Sequence, residues 1–293
     1  MIQRLCSEVM LQKEDVVASF GMISNGSFEA DHLIPVLQEF GMNISLSVDG
    51  FQDSHDKTRF QVKNGVRVGS WRKLAENVEI LSSHQLRPYF LYTVTPQNYG
   101  EIENLANYAH SRRLGLRLSL IRSALNPSGT VKNEISDELC RLYSEWGAHL
   151  DPNLPIFRFS AFAEWNLHVT KHIPCSSCRK FFAVSADGEV ATCQMRMNRP
   201  YGNLMSEPFA DIVSRMQLAR ENSLLAEPKT RKGTCTSCEF FHVCASGCPQ
   251  HNIQVSGDAD FPSPWCQVYG RVLPEYIRAV ANQLLRAVVS TLA

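Results

Sequence analysis

Eight of the ten cysteines in this 293-residue sequence fall between Cys175 and Cys266, with Cys6 and Cys140 outside that span. Their spacing is ordered: Cys175-x2-Cys178, then fourteen residues to Cys193, with Gly188 five residues before that cysteine. After a gap come Cys235-x2-Cys238-x5-Cys244-x3-Cys248 and, seventeen residues further on, Cys266. The opening residues MIQRLCSEVMLQKED are too polar for the apolar core of an export signal. A cytoplasmic chain keeps its thiols reduced, so this set is expected to bind metal before it forms disulfides. Eight thiolates make two four-cysteine sites. Spacing leaves the metal open, because C-x2-C pairs serve as zinc knuckles and four thiolates on short loops suit an iron–sulfur cubane equally well.

The rest of the composition is that of an ordinary globular chain. Basic and acidic residues number 29 each, 44% of residues are hydrophobic and 20% are charged, which excludes a disordered or collagen-like polymer. No block of like charge marks a nucleic-acid or membrane-surface partner. No apolar run reaches the roughly eighteen residues that a membrane span needs. The length accommodates one large domain or two of average size.

Before the cysteines, strand-like and helix-like segments alternate. Asp15–Ser24 is β-branched and apolar and ends at the Asn25-Gly26 turn signal, and Met42–Val48 is a second strand closed by Asp49-Gly50. Pro88–Thr95 and Leu116–Ile121 read as further strands. Between them, Leu33, Ile34 and Leu37, then Trp71, Leu74, Val78 and Leu81, then Ile102, Leu105 and Ala109 recur at helical spacing. A helix follows near Ser136–Leu150, then an aromatic, proline-bearing transition up to Trp165. Ile277, Val280, Ala281, Leu284 and Val288 form the apolar face of a closing helix, expected to face the core. This β-α-β-α order implies parallel strands with helical crossovers, in an open sheet or part of a barrel. Ligands then sit at the strand C-termini. Here these ends are Ser24-Asn25-Gly26, Ser47-Val48-Asp49-Gly50 and Thr93-Val94-Thr95, small and polar as a cofactor-facing rim would be, although Asn-Gly and Asp-Gly also serve as simple turns.

Together these features resemble the radical SAM enzymes that carry a C-terminal SPASM domain, a group that includes ribosomal-peptide maturases and anaerobic sulfatase-maturating enzymes. ISLSVDGFQDSHDKTR (Ile44–Arg59) resembles the family's fourth barrel strand and its loop, S-x-D-G…H-D…R. GSWRKLAENVEIL and PYFLYTVTPQN are similar to its fourth helix and fifth strand, and ISNGS to its third-strand element. The tail resembles the SPASM pattern, C-x9-G-x4-C (Cys178, Gly188, Cys193) followed by C-x2-C-x5-C-x3-C and a final cysteine.

The resemblance implies an α/β fold, a partial (βα)6 radical SAM barrel with strands 3–6 present, followed by a cysteine-rich SPASM domain with auxiliary iron–sulfur clusters. The expected organisation is a barrel part over 1–150, a linker over 151–172, the SPASM domain over 173–270 and a C-terminal helix over 271–293. By the same resemblance, Cys175, Cys178, Cys193 and Cys248 hold one 4Fe–4S cluster. Cys235, Cys238, Cys244 and Cys266 hold the other, an interleaving that couples cluster assembly to folding. Cys140 is expected to be a small core residue. Ser47 and Arg59 match positions that contact S-adenosylmethionine, the serine at a ribose hydroxyl and the guanidinium at the methionine carboxylate, with Asn25 a weaker candidate at the same rim.

Two features depart from the family. The C-x3-C-x2-C motif of the catalytic cluster and the following Gly-Gly-Glu element are absent from the sequence, so the chain is expected not to cleave S-adenosylmethionine by itself. S-adenosylmethionine is expected only in a complete form. A truncated start, a separate N-terminal radical SAM part or a degenerate remnant would account for this, the first two being favoured. Second, Gln194 follows Cys193 where sulfatase-maturating enzymes carry an aspartate base, and an amide takes no proton at neutral pH. That favours another peptide or protein substrate. The leading expectation is therefore the C-terminal portion of an oxidoreductase-type peptide maturase. A non-catalytic module that binds a peptide or partner, and a zinc-structural protein, are the alternatives. No H-E-x-x-H, G-x-S-x-G, P-loop or G-x-G-x-x-G is present.

Overall fold

The computed structural model describes residues 2–11, 18–123, 126–149, 175, 177, 181–221 and 232–292. These include helix α1 (Ile2–Leu11), strand β1 (Gly21–Ser24), α2 (Ala30–Glu39), β2 (Asn43–Val48), α3 (Gln52–Thr58), the hairpin β3 (Phe60–Lys63) and β4 (Val66–Gly69), α4 (Trp71–Ser83), β5 (Tyr89–Val94), α5 (Ile102–Ser111) and β6 (Gly115–Leu120). There follow α6 (Gly129–His149), the short strands β7 (Ala183–Val184), β8 (Glu189–Ala191) and β9 (Gly202–Asn203), then α7 (Phe209–Glu221), α8 (Phe241–Cys244), α9 (Pro249–Ser256) and α10 (Cys266–Leu292). The chain divides into two compact units. The first comprises Met1–Ile121, Asn133–Phe162 and Pro274–Ala293, and the second Arg122–Lys132 and Ala163–Leu273. The expected linker, 151–172, lies outside the described residues.

In the first unit, four parallel strands run in the order β1-β2-β5-β6. Strand alternation sends Ile44, Leu46 and Val48, then Phe90, Tyr92 and Val94, then Leu116, Leu118 and Leu120 to one face, where all are buried. Leu37 of α2, Leu74, Val78 and Leu81 of α4, and Leu105 and Ala109 of α5 are buried as well, and the Tyr108 ring of α5 stacks on Phe90 at 6.0 Å. The opposite face carries Ser45, Ser47, Leu91, Thr93, Arg117 and Ser119, each only half-buried. A helix-covered apolar face and a polar open face are what a βα repeat produces when helices line one side of the sheet.

The expected first strand is shorter than its apolar run. β1 begins at Gly21, residues 18–20 are irregular, and 15–17 lie outside the described residues. α6 starts at Gly129, seven residues before the expected Ser136. The closing helix is corrected in both extent and facing. It begins at Cys266, its buried side chains end near Tyr276 and Ala279, and Leu284 and Val288 are 60% and 57% exposed rather than packed in a core. Periodicity reports an apolar stripe but not how far the core beneath it extends.

The second unit is built on little regular structure. β7-β8-β9 form a small antiparallel sheet, over which Val190, Ile212 and Met216 pack with Tyr201. No helix among the described residues is long and apolar enough to cross a membrane.

Candidate metal centre and cofactor rim

The loop after β2 is fixed by groups that do not neighbour it in sequence. Gly50 sits at φ +122°, and a Cβ there would come within 2.4 Å of Glu101 Oε2, so only glycine fits. The Phe51 N–H donates to Glu101 Oε2 at 2.6 Å, and the Ser54 hydroxyl donates to the other carboxylate oxygen. Buried Asn98 donates to Asp49 O at 3.3 Å and Thr93 O at 3.0 Å and accepts from Thr95 N at 2.7 Å. It thereby ties the end of β2 to the end of β5.

His55 is fully buried beneath this loop. The Asp49 N–H points at its Nδ1 (3.4 Å), its Nε2 meets Ser70 Oγ at 3.0 Å, and Ser70 Oγ donates to Arg59 O at 3.0 Å. A ring that accepts at Nδ1 must donate from Nε2, which is the neutral tautomer. Burial, then the Arg59 charge, hold its pKa below the ordinary value, against opposing pulls from Asp49 and Asp56. Asp56 accepts the Trp71 N–H at 2.8 Å and so serves the first turn of α4. The H-D pair of the motif is therefore structural.

Of the three rim residues singled out in the sequence, Ser47 lies on the open face of β2, half-buried and in register with Leu91 and, through it, Arg117. Arg59 forks onto Asp49, with Nε–Oδ2 at 2.8 Å and Nη2–Oδ1 at 3.1 Å, and Thr58 Oγ1 donates to the same carboxylate at 2.9 Å. Such a partly buried bidentate pair fixes the guanidinium plane. Asn25 is exposed, and its Oδ1 accepts the Ser27 N–H at 3.0 Å, closing an Asx turn. Two residues absent from the sequence reading complete the rim. Buried Asn77 of α4 donates to Gly26 O and Phe28 O at 2.8 and 2.7 Å and holds the β1 loop. Arg117 is half-buried on the open sheet face.

In the second unit the cysteine loops approach one another in two groups. Cys175 Sγ accepts the Ser177 N–H at 3.4 Å, and Ser177 Oγ donates to Thr192 O at 2.6 Å, which sets the first loop beside Cys193. Burial pushes the Cys193 thiol above its ordinary value. The Met195 and Arg196 backbone amides and the Arg196 guanidinium oppose that rise, while the neighbouring Cys248 adds to it. In the other group, Thr234 Oγ1 lies 3.5 Å from Cys266 Sγ, and Ser246 Oγ donates to buried Cys235 at 3.6 Å. Buried Lys132 has its pKa lowered by desolvation, an effect that the nearby Cys266 opposes.

Between Cys244 and Cys248 the chain turns through Ala245, Ser246 and Gly247, all at positive φ. Asn252 clamps this strained turn, donating to Ser246 O, Ala259 O and Phe261 O at 2.8–3.1 Å. Cys178 lies outside the described residues. The nine described cysteines are all unbridged thiols. No three His, Cys, Asp or Glu side chains among the described residues converge on a single-ion site. Reduced thiols on neighbouring loops, as at Cys193 and Cys248, are the donor type of iron–sulfur clusters, in which each thiolate takes its own iron atom.

Comparison with known proteins bears on the cysteine-rich part and on the fold. Residues 175–239 match the SPASM family model, an iron–sulfur cluster-binding domain. A curated uncharacterized protein from Archaeoglobus fulgidus is 27% identical over 118 residues, a match spanning 39% of this chain and 27% of that relative's length. Among solved structures, native anSMEcpe with bound AdoMet and Kp18Cys peptide superposes with a TM-score of 0.70 at 14% identity, covering 96% of this chain and 81% of that one. Streptococcus suis SuiB bound to S-adenosylmethionine superposes at 0.55 and 14% identity, covering 90% of this chain and 62% of that one. Residues 175–239 are thus similar to the SPASM domain, and the chain has the α/β fold of these solved structures, the fold that the sequence resemblance implied.

Proposed function

We propose that this chain forms the greater part of a SPASM-type radical SAM enzyme that modifies a side chain of a peptide or protein, and that it holds two auxiliary 4Fe–4S clusters. The observation that carries the reading is the grouping of thiols: Cys175 beside Cys193 with Cys248 close by, and Cys235 and its neighbour Thr234 beside Ser246 and Cys266. The first cluster takes Cys175, Cys178, Cys193 and Cys248, and the second Cys235, Cys238, Cys244 and Cys266. The functional organisation runs as a barrel part to about residue 150, the SPASM domain over 173–270 and a C-terminal helix. The peptide bound to one relative of this fold supports a peptide substrate.

When bound together, S-adenosylmethionine and a reduced cluster supply the radical chemistry. This chain's residues position the cofactor. Ser47 presents a hydroxyl on the open sheet face. Arg59 gives two of its five N–H donors to Asp49 and keeps the others for a carboxylate, and Asn25 flanks the site from the β1 loop. Arg117 adds a second cation on that sheet face. The C-x3-C-x2-C ligands for the cofactor-binding cluster come from further polypeptide, in the same or a separate chain, within a reducing, cytoplasmic compartment.

Anaerobic purification followed by iron, sulfide and zinc analysis tests this. About eight irons per chain with matching sulfide are expected for two cubanes. About two zincs without iron would replace the reading with a structural zinc protein. The missing C-x3-C-x2-C motif favours one second reading, a non-catalytic module that binds a peptide or partner enzyme. A form completed with that motif which cleaves no S-adenosylmethionine under reduction, yet binds peptide, would select it.

A further inference from the structure

On the open face of the four-stranded sheet, Arg117 is a cation without an anion. It is half-buried there, and its guanidinium has no hydrogen bond or ion pair among the described residues. Arg59, Arg112 and Arg141 of the same unit each meet an acidic side chain. Asp49, the acid at the end of β2, is already committed to Arg59 and Thr58. The register places Arg117 opposite Leu91, and Leu91 opposite Ser47. Neighbouring strands lie about 4.8 Å apart, so the backbone of Arg117 stands about 10 Å from that of Ser47 along one row of the sheet. Thr93 and Ser119 pair in the next row toward the strand C-termini. On the other side Tyr89 pairs with Gly115, where a Cβ would meet the tyrosine ring at 2.1 Å. The ring therefore lies across β6 and walls the face two residues before Arg117. A guanidinium half in water against a sheet suits a carboxylate, because its planar fork offers two parallel N–H donors and the local dielectric is lower than that of water.

We propose that Arg117 is a specificity residue that binds a carboxylate of the peptide substrate, carried by an Asp or Glu side chain or by the C-terminus. The inference rests on the reading of this face as the site of cofactor and peptide. S-adenosylmethionine has one carboxylate, which that reading gives to Arg59, and its ammonium and sulfonium groups are cations that Arg117 repels. The anion for Arg117 therefore comes from the peptide. The separation along the row leaves the ribose over β2 and a peptide segment over β5 and β6, on a floor of Leu91, Thr93 and Ser119. The contact is an ion pair and involves no covalent step. Holding one carboxylate fixes the register of the peptide, so that a side chain at a set distance from it faces the cofactor.

The test uses the whole chain, purified anaerobically and immobilised, and two pools of random N-acetylated hexapeptides, one with free C-termini and one amidated. Captured peptides are identified by mass spectrometry. The unsubstituted chain should enrich carboxylate-bearing peptides about tenfold over uncharged ones, the scale of a charge-assisted bidentate bond. Asp or Glu enriched in the amidated pool assigns the side chain, and enrichment confined to the free-acid pool assigns the C-terminus. Arg117→Gln should abolish the preference. Arg117→Glu should replace it with a preference for Lys or Arg, a reversal that a merely structural role would not produce. Arg117→Lys keeps the charge without the fork and should retain only part of the preference. No carboxylate preference in the unsubstituted chain, or the same preference in Arg117→Gln, would overturn the inference. If the Gln and Glu variants do not fold, Arg117→Lys decides, and an undiminished preference in it overturns the inference. Metal analysis of the same preparation is a separate readout: zinc in place of iron overturns the cluster reading, while an Arg117-dependent preference still supports the carboxylate site.

Discussion

The two units of this chain are held together in different ways. Among the described residues, the largest fully buried side chains are Trp265 of the second unit and ten from the first, including Leu37, Leu46, Leu74, Phe90, Tyr92 and Leu116. The first unit is a sheet with an apolar face under helices, and its stability follows from area removed from water. The second has strands of two or three residues, a core of Val190, Ile212 and Met216 beside its small sheet, and polar clamps such as Ser177 on Thr192 and Asn252 on three carbonyls. Where regular structure is this scant, the proposed cluster ligation would take over the task of joining distant loops, as disulfides do in oxidising compartments. The second unit also buries Phe241, Trp265, Val268 and Leu273, but it carries the clustered cysteines and the first does not.

The largest effect is expected from cutting that ligation. Cys248→Ser should lower iron content by about half, the share of one cubane in two. Amide exchange should then quicken in β8, β9 and α9 while β2 and β5 keep their protection. Iron loss without any change of exchange in the second unit would show that burial suffices there, and the contrast would collapse.

The complementary perturbation is Leu46→Ala. Leu46 is fully buried at the centre of the four-stranded sheet, and truncation leaves a cavity that costs about 2–5 kcal/mol. Denaturant unfolding of the first unit, followed by exchange of β2, β5 and β6, should report that loss, with iron content unchanged. A loss below about 1 kcal/mol would mean that the sheet relaxes around the cavity and is less tightly packed than its burial indicates.

The strands of the first unit and the cysteine loops of the second were legible in the sequence for matching reasons. Alternation placed β2, β5 and β6 within one residue of their positions, because each strand has one face on the core and one on the open side. Cysteine spacing marked the second unit because ligand chemistry tolerates few other side chains. The hairpin β3–β4 was missed although Asn64-Gly65, at φ +52° and +78°, is a strong turn signal. Its strands expose Val62, Val66 and Val68 and carry no buried face for a pattern to reveal. Asn77, Asn98 and Glu101 were invisible for another reason. Their partners lie about fifty residues away, as Gly26 does for Asn77, and local periodicity carries no information about such polar contacts.

The smallest effect lies at the rim and sharpens the contrast, because there a polar device operates inside the burial-held unit. His55 is neutral and buried, with Arg59, Asp49 and Asp56 as the charged groups around it and its pKa held below the ordinary value. The unfolded chain therefore binds a proton more readily than the folded one. Stability from this group is complete above the unfolded pKa of about 6.5 and is lost as pH falls from there through the lowered folded value. His55→Gln keeps a donor near Ser70 but cannot titrate. The unsubstituted chain should lose denaturant resistance between pH 7.5 and pH 5.5 more steeply than His55→Gln, by less than the Leu46→Ala effect. Parallel pH profiles would mean that the ring takes up its proton equally in the folded and unfolded chain, and an Nδ1 protonated in the fold could no longer accept the Asp49 N–H that begins the chain through His55 and Ser70 to Arg59.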